Sequence, residues 1–100
     1  MVEPVPIRMN DTNAVRLLRE ICADSANVIL TGHASQRMRQ RNITLTQVIA
    51  CLTKGVVHEP VALDQHGLWK LTMERRAGGR QIRVAAAIDL PIRAIVITVF

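Results

Sequence analysis

The hydrophobic pattern of this chain changes its period at Gly55. Before that glycine, apolar residues recur three and four positions apart, as on one face of a helix; after it they alternate with polar residues, as in half-buried strands. The chain has 100 residues, which is too short for two separate cores. The pattern therefore predicts one α+β domain over residues 1–100, with about three N-terminal helices packed on one face of a four- or five-stranded, mainly antiparallel sheet.

The N-terminal quarter is predicted to be an arm followed by a helix. Residues 1–9 contain two prolines and are expected to form the arm. Residues 10–26 are expected to hold the first helix, with Asn10 or Asp11 as its N-cap and an apolar stripe that packs on the core. The rest of the domain, residues 28–100, begins in a short β-prone run.

Two further helices are predicted before the change of period. Thr31 is the expected cap of a helix over His33–Gln40, and Asn42 is the expected exit from it. Thr44 and Gln47 have the Thr-x-x-Gln spacing of a capping box, which places the start of a third helix there.

Gly55 is expected to end the third helix in the left-handed conformation, and strands follow it. Gly67 and the pair Gly78-Gly79 are turn signals, and Pro91 is a further break. The predicted antiparallel meander consists of Val56–Leu63, Leu68–Arg76, Arg80–Leu90 and Arg93–Phe100. Alternation along these strands gives one apolar face that meets the helices. The other face is mixed and carries Lys70, Thr72, Glu74, Arg83, Ala85 and Ala87.

Basic residues outnumber acidic ones and are concentrated in two segments. The chain has 13 Lys and Arg against 8 Asp and Glu, a formal net charge of +5. No acidic residue lies between Asp24 and Glu59, and residues 70–83 are again mostly basic among their charged positions. Most of the bases are Arg, whose planar guanidinium binds phosphate oxygens in pairs. The distribution favours a polyanion or an acidic protein as partner; the alternative is a merely solvated cationic face.

The sequence also indicates which classes of protein to set aside. No stretch approaches the roughly 20 apolar residues of a membrane span, and the N-terminus lacks the layout of a secretory signal, so we expect a cytoplasmic protein without membrane partners. Cys22 and Cys51 lie in apolar helical patterns and are expected to be buried thiols rather than a disulfide. His58 and His66 have no recognised metal-ligand spacing, and neither a metal nor a cofactor is expected.

A stripe of three residues on the second predicted helix carries the most chemistry. His33, Arg37 and Arg41 are four positions apart, so a helix places them on one face, beside the core positions Ala34 and Met38. Stacked cations disfavour such a helix unless an anion lies across them. A neutral imidazole there can take a proton from a ribose 2′-hydroxyl while the guanidinium groups hold the phosphate. The alternative is a histidine that only caps or packs against its own helix.

The stripe is part of a longer signature. It reads His33-Ala34-x-x-Arg37-Met38-x-x-Arg41-x-Ile43, and it precedes an apolar helix and a β-meander that closes with Val96-Ile97-Thr98-Val99. In this the chain resembles a family of small bacterial and phage domains with no assigned function. That family is similar in turn to the barnase, EndoU, colicin and RelE group of ribonuclease toxins. The resemblance covers about residues 28–100 and leaves the first helix outside.

The resemblance implies metal-independent RNA cleavage through a 2′,3′-cyclic phosphate. In this interpretation His33 is the general base or acid, while Arg37 and Arg41 hold the phosphate. A sheet residue, Thr98 or Arg83, completes the site. Further contacts to nucleic acid are expected from Arg39, Lys70, Arg75, Arg76, Arg80 and Arg83. The chain departs from RelE-like enzymes, which often finish with an aromatic acid/base, because Phe100 cannot transfer a proton.

We therefore expect a ribonuclease-like toxin whose partners are RNA and an acidic antitoxin protein that covers its basic site. The alternative is a nonenzymatic accessory domain, of phage or plasmid origin, that uses the same stripe to bind nucleic acid or an acidic partner. Formation of a homo-oligomer is compatible with either function.

Overall fold

The computed structural model describes residues 9–89 and 93–100, and within them it shows an α+β fold with helices mostly before strands. The predicted arm, apart from Met9, and the predicted break at Pro91 lie outside the described residues. The elements are α1 (Asp11–Ile21), β1 (Val28–Leu30), α2 (Gly32–Arg41), α3 (Leu45–Lys54), β2 (Val56–Leu63), β3 (Trp69–Ala77), β4 (Arg80–Asp89) and β5 (Arg93–Val99).

Helix α1 begins where expected and ends earlier than expected. The side chain of Asn10 accepts a hydrogen bond from the backbone N–H of Asn13 at 2.8 Å, which confirms it as the N-cap. The prediction of a helix through residue 26 is wrong, because a separate turn of 3₁₀ helix occupies Ser25–Asn27. Asp24 caps this turn by accepting from the Ala26 N–H at 2.9 Å. A short acceptor side chain competes in this way with continuation of the α-helix.

The junction between α2 and α3 follows the predicted signals. Asn42 adopts the left-handed conformation with φ of 54°, and the N–H of Ile43 returns to the Met38 carbonyl at 2.8 Å. The capping box at the start of α3 is confirmed. The Gln47 N–H donates to the Thr44 hydroxyl at 3.2 Å, and the Thr44 N–H donates to the Gln47 side chain at 2.8 Å.

Gly55 ends α3 for a reason other than the predicted one. Its φ of −78° and ψ of −176° are extended backbone, so the expectation of a left-handed stop is wrong. A Cβ atom on this residue would lie 2.4 Å from the carbonyl oxygen of Cys51 and 2.6 Å from that of Glu74. Glycine is therefore required by the close approach of α3 to β3, which seats the helix on the sheet.

The sheet has the strand order β1-β5-β4-β3-β2. Strands β2 to β5 form the predicted antiparallel meander, and Gly78 and Gly79 make the β3–β4 turn with φ of 60° and 77°. Strand β1 joins the edge of the meander parallel to β5, with Val28 opposite Ala94 and Leu30 opposite Val96. The sheet is therefore mixed, because the chain crosses from β1 through the helices before it reaches β5.

The helices cover one face of the sheet and bury the core against it. Helix α3 contacts the strands β3 and β4, α1 packs on α3 and contacts β2, β4 and β5, and α2 lies against β5. The largest fully buried side chains belong to these layers and include Leu18, Leu52, Leu71, Met73, Ile82, Ile88, Val84 and Val96. Burial of each such side chain contributes about 1.5–3 kcal/mol. We call the opposite side of the sheet the uncovered face, since none of the described helices packs on it.

Three register shifts of the β-bulge kind interrupt the ladders of the described strands. Two lie in the β2–β3 ladder, between Val57 and Glu59 and between Glu59 and Ala62, and the third lies in the β4–β5 ladder between Ala85 and Ala86. Bulges redirect side chains and increase the local twist. The first adds a residue at His58.

The described cysteines are free thiols, as predicted. Cys22 and Cys51 are both buried, and burial raises the pKa of each to about 11. The Cys51 sulfur lies 3.5 Å from the carbonyl oxygens of both Met73 and Ile82, either of which can accept from its single S–H. Within the described residues, none of the helices has both the length and the hydropathy needed to cross a membrane.

Candidate nucleic-acid interface

Helix α2 is fixed along β5 by contacts at both of its ends. The Thr31 hydroxyl, which caps the helix, lies 3.0 Å from the carbonyl oxygens of both Val96 and Ile97. One turn before the C-terminal end, the Arg37 Nε donates to the Val99 carbonyl at 3.3 Å. Since Ala34 and Met38 face the core, the flank that bears Arg37 and Arg41 borders the sheet at the end of β5.

At this border the chain forms an open cleft lined mainly by arginines. We call it the arginine cleft, and its lining residues are Arg41, Arg80, Gln81, Arg83 and Phe100. It gathers the end of α2, the start of β4 and the residue after β5. The backbones of Arg83 and Phe100 are paired, with the Phe100 N–H donating to the Arg83 carbonyl at 2.8 Å. The cleft is therefore built on the sheet and not on a loop alone.

Two of the cleft arginines are held in place by the protein. The Arg80 guanidinium donates to the carbonyl of Asn42 at 3.1 Å and to that of Arg41. These carbonyls lie at the C-terminal end of α2, where backbone acceptors lack partners within the helix. The Arg83 Nε donates to the Glu74 Oε2 at 2.9 Å. Both contacts orient guanidinium groups around the cleft.

The electrostatic balance of the cleft is positive. The Arg41 guanidinium is exposed and pairs with none of the carboxylates in the described part of the chain. Glu74 accepts from Arg83, and hydrogen bonds from Arg83 and then Gln81 lower the pKa of Glu74 below its ordinary value. Glu74 is consequently an anion at neutral pH, and it offsets part of the charge of Arg83 while the Arg41 guanidinium remains available to an anion.

His33 is exposed and lies on the same helical flank as Arg37, one turn nearer to the start of α2. Within residues 9–89 and 93–100 its imidazole has no hydrogen-bond or ion-pair partner. It is neither walled in by aliphatic side chains nor a lining residue of the arginine cleft. Both of its ring nitrogens are therefore accessible to a ligand that extends along the flank.

Thr98 lies on the uncovered face, opposite Ala85 of β4, and is half buried. It is two residues from Phe100 along the chain, a separation of about 7 Å on an extended strand. The structure thus places Thr98 near the arginine cleft, with its side chain on the same face as Arg83.

The remaining predicted contacts do not gather at the cleft. Arg39 is exposed on the side of α2 away from Arg41. Lys70 lines a separate groove on the uncovered face, together with Thr31 and His66. The residues Arg75 and Arg76 line another surface depression beside Lys54 and Gly55. The predicted contacts therefore divide among four places, of which the arginine cleft contains the greatest number of guanidinium groups.

A contact between His58 and Glu74 is absent from the sequence-based expectations. The Nδ1 atom of His58 lies 3.1 Å from the Glu74 Oε2, the same oxygen that accepts from Arg83. Alternation along β3 and β4 places Glu74 and Arg83 on the uncovered face, so the sequence predicts that these two residues share a face. The bulge that brings His58 to them has no sequence signal that we recognise.

Comparison with known families places most of this architecture in one family. A family model described as "Domain of unknown function (DUF4258)" matches residues 30–100. The chain belongs to this family. The DUF4258 region contains α2, α3 and strands β2 to β5, and with them every residue of the arginine cleft as well as His33 and Thr98; α1 precedes it. Neither a curated protein nor a solved structure matches the chain.

Proposed function

We propose that this domain binds the RNA backbone in the arginine cleft and cleaves it without a metal ion, as a ribonuclease-like toxin does. The observation that carries the proposal is the cleft itself. Three guanidinium groups, those of Arg41, Arg80 and Arg83, line one open depression, and Arg37 lies beside it. Guanidinium groups bind phosphate oxygens in pairs, so this arrangement suits consecutive phosphates of a nucleic acid.

An aromatic ring in the cleft supports a nucleic acid over other polyanions. Phe100 is 42 % exposed and shares the cleft with Arg41 and Arg83. Exposed aromatic rings within basic grooves stack on the bases of single strands and contribute about 1–3 kcal/mol per base. A phosphate held by the guanidinium groups would leave its base within reach of such a ring.

The proposed chemistry uses an imidazole as proton acceptor. The sequence-based candidate for this acceptor is His33, on the flank that leads to Arg37, and in the first step the acceptor takes the proton of a ribose 2′-hydroxyl. The 2′-oxygen then attacks the adjacent phosphorus, the bond from phosphorus to the 5′-oxygen breaks, and a 2′,3′-cyclic phosphate forms. Arg37 and Arg41 stabilise the charge that develops on the phosphate oxygens, and Thr98 is the sheet residue proposed to complete the site.

The experiment compares Arg41→Ala with Arg39→Ala, since both residues lie on the last turn of α2 and only Arg41 lines the cleft. Binding of a short single-stranded RNA is measured by fluorescence anisotropy over a range of salt concentrations, and cleavage is measured in the presence of EDTA. Arg41→Ala is expected to weaken binding and to reduce the magnitude of the salt slope by about 1. Equal effects of the two substitutions would contradict binding in the cleft.

The hydrogen bonds of the arginines favour a second function, which is binding without catalysis. Arg37 and Arg80 both donate to backbone carbonyls, which ties them to the protein, and His33 stands outside the cleft. A nonenzymatic domain that binds nucleic acid or an acidic protein partner, such as an antitoxin, would need only the charge. RNA binding by the wild-type protein without any cleavage in EDTA would favour this second function.

A further inference from the structure

A line of three polar side chains crosses the uncovered face from β2 to β4. His58 approaches Glu74 at 3.1 Å through Nδ1, and Arg83 donates to the same carboxylate oxygen at 2.9 Å. The side chains are 36 %, 24 % and 39 % exposed, respectively, so solvent reaches each of them. A histidine, an anion and a guanidinium in contact form a combination found where protons are transferred near a phosphate.

The β2 bulge is what brings His58 into this line. Val57 pairs with Met73 on the covered side of the sheet, and after the shift of register Glu59 pairs with Thr72 on the uncovered side. If the pairing were regular, His58 would lie opposite Thr72 on the uncovered face, and Glu74 would be farther from it. The extra residue allows His58 to turn toward Glu74 while the ladder continues on both sides of it.

Glu74 fixes the chemical state of the imidazole. Because Arg83 and Gln81 donate to the Glu74 carboxylate, it is an anion and acts as an acceptor at neutral pH. A carboxylate beside Nδ1 favours the tautomer that carries its proton on that nitrogen. The lone pair then lies on Nε2, on the side of the ring away from Glu74, and is available to accept a proton.

The line is continuous with the arginine cleft. Arg83 is a lining residue of the cleft and also the partner of Glu74. His58 is not itself a lining residue of the cleft, so an RNA strand bound at Arg83 has to continue past Glu74 over the uncovered face to reach its Nε2. His33, in contrast, has no carboxylate beside it among the described residues. His58 has the orienting partner that a general base requires, and it stands on the sheet.

We propose that His58 is the proton acceptor for RNA cleavage, in place of His33, and that Glu74 is its positioning residue; this inference rests on the ribonuclease function proposed above. In the step, Nε2 of His58 takes the proton of the 2′-hydroxyl as the bond from the 2′-oxygen to phosphorus forms. The bond from phosphorus to the 5′-oxygen breaks, and that oxygen takes a proton from water. His58 then returns its proton to the hydroxide that remains, so atoms and charge balance.

The test uses the full chain with the substitutions His58→Ala, His33→Ala and Glu74→Gln, and with His66→Ala as the matched control. His66 is an exposed histidine of the β2–β3 loop that lies outside the line and outside the cleft. Rates and affinities are measured on a short RNA in EDTA. His58→Ala is expected to lower kcat by about 10²–10⁴-fold, the range for loss of a general base, with the RNA Kd close to that of the wild type.

A second measurement reports the imidazole directly and does not need catalysis. Nitrogen-15 spectra of the histidine rings distinguish the two tautomers. The neutral ring of His58 is expected to carry its proton on Nδ1 in the wild-type protein and to lose that preference in Glu74→Gln, whereas His66 is expected to be the same in both. If the contact between His58 and Glu74 were only structural, its loss in His58→Ala would not lower kcat selectively while the Kd for RNA stayed unchanged.

The outcomes separate the two proposals. If the wild type cleaves RNA and His58→Ala cleaves it equally well, or if the His58 ring carries its proton on Nε2, this inference is overturned and the ribonuclease function stands. If the wild type cleaves no RNA in EDTA, the ribonuclease function is overturned and the inference with it. A loss of kcat in His58→Ala that exceeds the loss in His33→Ala, with His66→Ala active, supports the inference, whereas a loss in His33→Ala as large as that in His58→Ala overturns it.

Discussion

Substitution of Gly55 by alanine tests the packing that holds α3 on the sheet. The added methyl group meets two backbone oxygens, at 2.4 Å from Cys51 and 2.6 Å from Glu74. Neither oxygen is the end of a flexible side chain, so the last turn of α3 and strand β3 must move apart. The displaced part of β3 includes Glu74, which contacts both His58 and Arg83. The same substitution therefore tests the fold and the support of the candidate site.

Two opposing effects set the magnitude. The φ of −78° at Gly55 is accessible to alanine, so the lower entropy of the unfolded chain favours the substitution by about 0.4–1 kcal/mol. Forcing additional volume into a tightly packed site costs about 1–3 kcal/mol, and here both contacts are with backbone. We expect the clash to prevail, with a net loss of about 1–2 kcal/mol. For a domain of this size each kcal/mol lowers Tm by about 4–8 °C.

The assay is urea denaturation of Gly55→Ala beside Gly32→Ala as control. Gly32 is the first residue of α2, and a Cβ atom there has no atom within 4 Å. Alanine at Gly32 is expected to leave the free energy of unfolding unchanged or to raise it by up to about 1 kcal/mol. If Gly55→Ala is as stable as the wild type, α3 does not approach β3 as closely as the backbone contacts at Gly55 require.

Two further predictions concern titration. Burial raises the pKa of Cys22 and Cys51 to about 11, so both thiols are expected to react slowly with a disulfide reagent at pH 8 in the folded protein. In denaturant both are expected to react rapidly. Rapid reaction of the folded protein would contradict their burial. The pKa of Glu74 is lowered chiefly by Arg83, and that of Asp64 chiefly by the Leu68 N–H. A carboxyl group whose pKa is lowered by folding stabilises the folded state at pH values above its ordinary pKa. The free energy of unfolding is therefore expected to fall as the pH drops below about 4.5 and through the pKa values of the folded state. A free energy of unfolding that stays constant from pH 7 to pH 3 would refute this.

The predictable part of the fold is the part specified by local signals. The Thr44 and Gln47 capping box and the left-handed Asn42 arise from side-chain and backbone preferences within a few residues, and both are present. The alternation after Gly55 predicts the meander, because period-two burial needs no knowledge of the strand partners. For the same reason the alternation alone assigns Glu74 and Arg83 to one face of the sheet.

The features that local signals do not predict depend on contacts between distant segments. The parallel pairing of β1 with β5 joins residues more than sixty positions apart, and a run of three apolar residues does not specify its partner. A glycine that follows a helix is compatible both with a left-handed stop and with the close approach of a neighbouring backbone. At Gly55 the sequence does not distinguish the two, and the approach of β3 decides between them. His58 carries no sequence mark of its contact with Glu74, because a bulge decides that contact.

If the RNA backbone lies in the arginine cleft, the arginine side chains themselves report it most directly. The Nε–Hε resonances of the arginines are followed while a short single-stranded RNA is added in EDTA. We expect the resonances of Arg41 and Arg83 to shift strongly, and those of Arg39 and Arg16, on other surfaces of the helices, to shift little. Uniform shifts over all arginines, or shifts confined to Arg75 and Arg76, would contradict it.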